Sequence, residues 1–393
     1  MHTPKYILAT ALSLFILSAS AQKVDVKQQF ANAASQTQVL LDELNKMSPT
    51  GNLVSPRTIE KGTLKLVPSN DWTSGFFAGV LWYLYDYTHD DKWLKQARIY
   101  TDRLEKEQYN KGTHDLGFMI NCSYGNGYRL TQDEHYKAVL IQAAKSLSTR
   151  YNTKTGVIRS WDHNADKWKN PVIIDNMMNL ELLFKATRLT GDSSFYKIAV
   201  SHADHTLKNH FRADYSSYHV VDYDPETGAV LKKMTHQGYS DESAWARGQA
   251  WGLYGFTMCY RETGDKKYLL QAQNIAKFIF NNPTLPKDLV PYWDYNDPGI
   301  PNVPRDVSAA CVMASALYEL AGYSKGNNYR QKADMILSSL GKGYLSPAGE
   351  NFGFILLHST GHKPANSEID VPLNYADYYY LEALLRSTKP VKH

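Results

Sequence analysis

Two aspartates, Asp115 and Asp175, stand at the start of strongly apolar segments whose composition is compatible with helices. An aspartate in this position is ambiguous, because its carboxylate can cap the helix and complement the helix dipole without any catalytic role. Both segments also carry Asn, His or Met residues close to the aspartate. Two such carboxylates could therefore face one shared cavity, which is the arrangement that general acid/base chemistry on sugars uses.

The elements that must hold these aspartates follow an internal repeat. A turn with Thr, an Asp two positions later and an aromatic residue five positions after the Thr occurs at residues 88–93, 131–136, 190–195 and 263–268. An apolar segment precedes each turn and an Ala-rich amphipathic segment follows it, and the spacing of the apolar residues predicts a helix on both sides. The Asp is placed to cap the second helix. Each unit is thus predicted to be an αα-hairpin with a more buried first helix.

Two further hairpins complete the predicted architecture. Residues 307–319 and 329–340 form a fifth pair around a weaker turn, and the terminal segments 24–47 and 374–386 form a sixth if they pair with each other. Twelve helices in six hairpins describe an all-α fold, an (α/α)6 barrel, whose inner helices surround a deep pocket at one mouth.

Long connections between the hairpins are predicted to form the rim of this barrel. Their aromatic content argues against disorder, and loops of such length are then usually functional. The alternating pattern of residues 219–223 suggests small β-hairpins on the rim. The long connections are residues 53–73, 152–171, 215–243, 283–305 and 343–371.

The amino-terminal segment predicts export. Residues 1–5 include one Lys, residues 6–17 are apolar, and small residues precede Ala21, which is typical of a secretory signal peptide cleaved after Ala21. Residues 22–393 are then a single catalytic domain, most consistent with a periplasmic location. No later segment approaches 18 uninterrupted apolar residues, so we expect no membrane span.

Composition narrows the function classes. The three cysteines, an odd number, indicate core residues rather than a disulfide framework, and no zinc-binding spacing is present, so no metal or organic cofactor is expected. The formal net charge of +4 arises from interspersed charges, which gives no support for nucleic-acid binding. The 28 Tyr and 8 Trp residues include candidates for stacking on sugar rings.

Four segments precede or open predicted inner helices, namely residues 71–82, 114–118, 174–179 and 236–252. In this order they resemble the unsaturated glucuronyl hydrolases, glycoside hydrolase family 88. The likeness covers essentially the whole mature chain, and the motif W-A-R-G-Q-A-W of residues 245–251 is long enough to be specific.

The resemblance implies an enzyme that removes the 4,5-unsaturated uronic acid left at the non-reducing end when a polysaccharide lyase has cut its substrate. In this family an Asp protonates C4 of the vinyl ether, water adds at C5, and the resulting hemiketal rearranges and expels the rest of the saccharide. Asp175 matches the general acid/base, and Asp115 matches the second carboxylate. The positions that match or neighbour residues around the uronate are Trp72, His114, Asn176, His219, Gln237, Arg247 and Trp251.

The resemblance also implies a sulfate-binding region just before the last helix. Ser359 and Lys363 lie in this part of the chain and could hold a sulfate on the sugar next to the uronate. His362 interrupts the family's pattern here. A sulfated glycosaminoglycan fragment is therefore the expected substrate, although chondroitin, hyaluronan and heparin fragments all present the same kind of terminal ring.

Three other functions are also compatible with the sequence. An unsaturated rhamnogalacturonyl hydrolase would use the same barrel and the same vinyl-ether chemistry. A sugar 2-epimerase would use paired histidine bases, for which His114, His219 and His236 are candidates, and a non-catalytic sugar-binding protein would need neither aspartate. The sequence makes no prediction of the oligomeric state.

Overall fold

The computed structural model describes residues 24–47, 51–324 and 326–389. The predicted signal peptide, residues 1–21, lies outside this part of the chain. Within it are twelve α-helices: α1 (Val26–Lys46), α2 (Ser74–Thr88), α3 (Asp91–Asp102), α4 (Asn126–Thr131), α5 (Glu134–Ser148), α6 (Asn176–Thr190), α7 (Ser193–Asn209), α8 (Ala246–Thr263), α9 (Lys266–Asn281), α10 (Val307–Ala321), α11 (Tyr329–Gly343) and α12 (Asn374–Thr388).

The inner ring of the barrel is closed. A π-helix, Gly117–Gly125, runs directly into α4 and packs between α2 and α6. Helices α8, α10 and α12 continue the ring, and α12 packs back against α2. The outer ring consists of α1, α3, α5, α7, α9 and α11, so the predicted (α/α)6 barrel is confirmed.

The repeated turns set the order of the two rings. In each, the Asp side chain accepts a hydrogen bond from the backbone N–H two residues on, at 2.8–3.0 Å, and so caps the outer helix. The aromatic residue that follows is buried against the inner ring. These anchors are Trp93, Tyr136, Phe195 and Tyr268.

Close backbone contacts hold the elements that carry the two aspartates. A Cβ atom at Gly117 would lie 2.5 Å from Cα of Asn179, so the π-helix can approach α6 only because this residue is glycine. The backbone N–H of Phe118 also donates to the side-chain oxygen of Asn179 at 2.9 Å. Asp115 and Asp175 therefore precede two elements that are packed directly on each other.

Seven short strands lie in the rim connections: β1 (Leu53–Glu60), β2 (Thr63–Pro68), β3 (Tyr151–Asn152), β4 (Val157–Ile158), β5 (Pro171–Ile173), β6 (Val220–Tyr223) and β7 (Val230–Met234). The antiparallel sheet β5–β6–β7 pairs Ile173 with Val220. The backbone N–H of Ile174 donates to the carbonyl oxygen of His219 at 3.0 Å. This pairing places His219 beside Asp175, the next residue after Ile174.

None of the helices within residues 24–47, 51–324 and 326–389 is long and apolar enough to cross a membrane.

Candidate active site

A cavity of about 200 Å³ opens where the inner helices begin. Five of the residues predicted from the sequence line it: Trp72, Asp115, Asp175, Gln237 and Arg247. The segments that carry them are separated by up to 175 residues and converge because all of them enter inner helices from the same end of the barrel. The convergence of the four predicted segments at one mouth is thus observed.

Neither aspartate caps a helix through its side chain. Asp175 stands at the N-cap of α6, yet its carboxylate accepts no capping hydrogen bond. Asp115 precedes the π-helix by two residues, and its carboxyl lies 3.4 Å from the side-chain nitrogen of Asn179. The non-catalytic capping interpretation is therefore wrong for both, and both carboxyl groups are available to a ligand.

Burial changes the acidity of both groups. Desolvation raises the pKa of Asp175 to about 7, opposed by the charge of Arg247 and assisted by the charge of Asp115. Desolvation also raises the pKa of Asp115 to about 7, against hydrogen bonds from Asn179 and Thr113. Each carboxyl can therefore hold a proton close to neutral pH, which a catalytic acid requires.

His219 lies behind Asp175 rather than on the cavity wall. Its Nδ1 accepts hydrogen bonds from the backbone N–H groups of His236 and Gln237, at 3.1 and 3.0 Å, so in the neutral ring the proton is on Nε2. That nitrogen lies 3.6 Å from Oδ2 of Asp175. Burial lowers the pKa of His219 well below its usual value. The neutral ring thus presents an N–H to the Asp175 carboxyl.

His114 has the opposite tautomer. Its Nδ1 lies 2.9 Å from the carbonyl oxygen of Ser160, which can only accept, so Nδ1 carries the proton. Nε2 lies 3.2 Å from Oδ1 of Asp115 but has no hydrogen-bond partner within the described residues. Burial lowers the pKa of His114 to about 3, so the ring is neutral. His114 therefore packs against Asp115 rather than lining the cavity.

Two more predicted residues are buried next to the aspartates. The indole N–H of Trp251 has no hydrogen-bond partner within the described part of the chain. The N–H lies close enough to Asp175 to favour the ionised form of that carboxyl. This contact lowers the pKa of Asp175, whereas burial, the larger effect, raises it. The side chain of Asn176 donates to the carbonyl oxygen of Ile158 at 2.8 Å and fixes the start of α6. Both residues support Asp175 from behind.

Neither of the two residues predicted to bind sulfate lines the cavity. The Ser359 side chain is fully buried, because residue 359 pairs with Val371 through two backbone hydrogen bonds. The ammonium of Lys363 lies 3.3 Å from a carboxylate oxygen of Asp297 and 4.7 Å from the centre of the Trp293 ring. Lys363 therefore already has a carboxylate and an aromatic ring as neighbours, and its sulfate contact stays a prediction.

Arg247 lines the cavity with its buried guanidinium already engaged. It donates to Asp306 at 2.7 Å and to the carbonyl oxygens of Thr360 and Gly361 at 2.6 and 2.5 Å. Asp306 is itself fully buried and caps α10. Arg247 thus ties the 359–371 connection to the inner ring as well as facing the cavity.

The substitution Arg247→Ala is expected to lower the free energy of unfolding by about 3–5 kcal/mol, because it leaves Asp306 buried without its cation. Urea unfolding at neutral pH measures this loss. The double variant Arg247→Met, Asp306→Asn removes both charges and should recover part of it. Equal destabilisation of the single and double variants would show that the ion pair is not the cause.

Several cavity residues were not predicted to contact the substrate. Arg57 in β1 forms a bidentate pair with Glu368, at 2.5 and 2.8 Å, and also contacts Asp71 at 2.9 Å. Tyr375, in the first turn of α12, has a ring centre 5.0 Å from that of Trp72. The length and aromatic content of the rim connections were the only signals for Arg57, and Tyr375 lies outside those connections. The other cavity residues of this kind are Trp161, His163, Ile173, Gly361 and His362, whereas His236 was a candidate only for the epimerase alternative.

No group of three or more His, Cys, Asp or Glu side chains in residues 24–47, 51–324 and 326–389 is arranged to hold a metal ion. The three cysteines are all buried and unpaired, as predicted for core residues.

Comparison with known proteins identifies the family. The family model Glycosyl Hydrolase Family 88 matches residues 52–352. The chain is 46% identical to an unsaturated glucuronyl hydrolase of Formosa agariphila, over 97% of this chain and 96% of that protein. It is 33% identical to an unsaturated chondroitin disaccharide hydrolase of Streptococcus agalactiae, over 95% and 94%.

A solved structure with the same fold is the crystal structure of an unsaturated glucuronyl hydrolase specific for heparin. The TM-score is 0.88, the sequences are 49% identical, and the alignment covers 92% of this chain and 96% of that one. The family model, the relatives and the barrel all agree, and this chain therefore belongs to glycosyl hydrolase family 88.

Proposed function

We propose that this enzyme removes the 4,5-unsaturated uronic acid from the non-reducing end of oligosaccharides released by a polysaccharide lyase. The observation that carries the proposal is the pair of buried carboxyl groups, Asp115 and Asp175, which face one cavity with pKa values raised to about 7. A vinyl ether needs a proton donor that is still protonated near neutral pH.

In the proposed reaction Asp175 acts first as an acid. Its proton forms the new C–H bond at C4, the C4=C5 double bond is consumed, and the positive charge at C5 is shared with the ring oxygen. Water then bonds to C5 and gives its proton to the Asp175 carboxylate, which restores the acid. The hemiketal opens and releases the remaining saccharide as an alcohol. Carboxylate spacing does not predict stereochemistry here, because the anomeric carbon is not attacked.

The surrounding residues can hold the sugar and stabilise the carboxylate formed during the reaction. The ring of Trp72 offers a face to the sugar, and its packing against Tyr375 fixes its orientation. The side chain of Gln237 donates to the carbonyl oxygen of Gly361 at 3.2 Å, which leaves its own carbonyl oxygen to accept from a sugar hydroxyl. His219 and Trp251 place two N–H groups behind Asp175, and these can stabilise the carboxylate formed when the proton leaves.

The paired histidine bases of an epimerase fit this geometry poorly. The Nδ1 lone pair of His219 is engaged by two backbone N–H groups, and neither His219 nor His114 lines the cavity. Of the three candidate histidines only His236 lines it, and burial lowers the pKa of that ring to about 4, so it is a weak base. One such ring does not make a pair of bases, whereas both aspartates line the cavity.

The reaction is tested by the ultraviolet absorbance of the conjugated double bond. Incubation with unsaturated disaccharides should abolish this absorbance and release the saturated partner sugar in equal amount. Saturated disaccharides of the same composition, which lack the double bond, should remain intact. Cleavage of both kinds of substrate at comparable rates would overturn the vinyl-ether mechanism and indicate an ordinary glycosidase.

For the glycan, we propose fragments of heparin type, because the relative that is 49% identical is specific for heparin. A relative at 33% identity is an unsaturated chondroitin disaccharide hydrolase, so the substrates compared must include both classes. The values of kcat/KM for heparin-type and chondroitin-type unsaturated disaccharides, each with and without sulfate, separate the two. A preference for the chondroitin series would contradict the proposal without affecting the reaction type.

A further inference from the structure

A second cavity, of about 190 Å³, lies at the opposite end of the barrel and is called the far-end cavity below. Its walls come from the later parts of α2, α6 and α12, and from the π-helix with α4. It shares no lining residue with the active-site cavity. Between the two lies a closed circle of buried aromatic rings with centres 5.0–5.5 Å apart: Phe76, Phe118, Trp251, Tyr379 and Tyr378.

The carboxylates of the far-end cavity all have partners. Asp86 pairs with Arg129 at 2.9 Å, and Glu181 pairs with Arg261 at 2.5 Å. Glu382 accepts from Tyr83 and Tyr254, at 2.9 and 3.1 Å, and from Ser315. Each of these three carboxylates therefore has its partners within the protein.

Lys185, unlike these carboxylates, has no partner within the described part of the chain. It lines the far-end cavity, and its ammonium has neither a hydrogen bond nor an ion pair to any residue in the described part of the chain. Burial lowers the pKa of this amine to about 8, opposed by Glu181. The charged groups that act on it are Glu181 and Arg188 on its own helix, Arg129 on α4 and Arg261 on α8, and the same cavity is also lined by Asp86, Glu382, Arg386 and Lys389. Each of the three guanidinium groups that act on it has a carboxylate partner, whereas the Lys185 ammonium has none within the described residues.

Asn121, which lines the same cavity, carries a second polar group without a partner among the described residues. Its side-chain nitrogen donates to Glu181 at 3.1 Å, which fixes the orientation of the amide. The amide oxygen is buried and has no hydrogen-bond partner within residues 24–47, 51–324 and 326–389. A methyl group at Gly125 would overlap this oxygen and would lie 2.7 Å from the Lys185 ammonium. The two unsatisfied groups therefore flank one small space over Gly125.

We propose that the far-end cavity is a second binding site for a small hydroxycarboxylate, whose carboxylate pairs with Lys185 and whose hydroxyl group donates to Asn121. A cavity of about 190 Å³ has room for a small organic acid. An anion would give the ammonium a partner, and a hydroxyl donor would satisfy the buried amide oxygen.

The experiment measures the reactivity of individual lysines on the intact, folded enzyme. Trace acetylation with acetic anhydride across a pH series, read by peptide mass spectrometry, gives an apparent pKa for Lys185 and for Lys95, an exposed lysine on α3. The probes are glucuronate, acetate and inorganic phosphate at constant ionic strength. Glucuronate is expected to raise the apparent pKa of Lys185 by on the order of one unit and to leave Lys95 unchanged, because a bound anion stabilises the ammonium.

The other probes identify the ligand chemistry. Acetate should have a smaller effect, since it carries no hydroxyl group for Asn121, and Gly125→Ala should abolish the glucuronate effect by filling the site. No response of Lys185 to glucuronate, or an equal response of Lys185 and Lys95, would overturn the proposal. A larger response to phosphate than to glucuronate would overturn the assignment to a hydroxycarboxylate. The measurement does not use turnover, and Lys185→Met should retain kcat, so its outcome is independent of the proposed reaction.

Discussion

Asp175→Asn is expected to lower kcat by about 10²–10⁴-fold on an unsaturated disaccharide, because the amide keeps the shape of the carboxyl but has no proton to transfer. KM should change much less, since the loss concerns an interaction made in the transition state. The measurement is the decrease in double-bond absorbance under saturating substrate. A variant that retains more than about a tenth of the activity would remove Asp175 from the acid role.

The same variant should be no less stable than the wild-type enzyme. The folded-state pKa of Asp175 is about 7, well above its ordinary value of 3.8, so between these pH values the folded protein binds the proton more tightly than the unfolded chain does. Folding stability attributable to this group is therefore lost as the pH rises towards 7. Asp175→Asn removes that penalty, and its Tm relative to wild type should rise between about pH 4 and pH 7.

Asp377 offers a matched control. Burial raises the pKa of this carboxyl to about 7 as well, but it accepts hydrogen bonds from the backbone N–H groups of Ile355 and Leu356, at 3.0 and 2.9 Å. Asp377→Asn should therefore lower Tm, because one N–H would face the amide nitrogen. The folded fraction should keep a kcat within about tenfold of wild type. A raised pKa alone does not make a catalytic acid.

The sequence predicts best those parts of the structure that depend on residues close together in the chain. The turns that begin at Thr88 and Thr190 carry their own caps and aromatic anchors, so the hairpins and the barrel follow from short segments. The pair Arg57 and Glu368 meets only because the chain closes its ring over more than three hundred residues. No spacing in the sequence indicates that contact.

Whether a predicted residue faces the cavity or lies behind it also depends on contacts with residues that are distant in the chain. His114 and His219 were expected to contact the substrate, yet each is held behind its aspartate by backbone groups of a rim connection. Lys363 was expected to hold a sulfate, and its ammonium lies 3.3 Å from a carboxylate oxygen of Asp297, from another connection, which the sequence does not indicate. The sequence therefore predicts which segments form the site better than it predicts which side chains face the substrate.

The structure around His114 determines what Asp115→Asn will do. Nε2 of His114 lies 3.2 Å from Oδ1 of Asp115 and has no hydrogen-bond partner within the described residues, whereas Nδ1 donates to Ser160. The amide N–H of an asparagine at residue 115 can lie beside this nitrogen as the O–H of a protonated carboxyl can. The substitution therefore mimics the protonated state of Asp115, keeps the local geometry, and removes only the ability of this residue to become charged.

Loss of that charge acts on Asp175. The ionised form of Asp115 raises the pKa of Asp175, so Asp115→Asn should lower that pKa and leave more of Asp175 deprotonated near neutral pH. The expected result is a fall in kcat/KM that is largest at about pH 8 and becomes smaller as the pH is lowered.

The pH dependence of kcat/KM, measured from about pH 5 to pH 9 for both enzymes, separates this coupling from a direct contact between Asp115 and the substrate. In wild type two interacting carboxyl groups titrate as a pair, whereas the variant should show a single ionisation displaced to lower pH. His114→Phe provides the control, because it removes the imidazole beside Asp115 but leaves a carboxyl that can still become charged, so two ionisations should remain. If the profile of Asp115→Asn keeps its position and is only scaled down, the two carboxyl groups do not interact and Asp115 acts on the substrate directly.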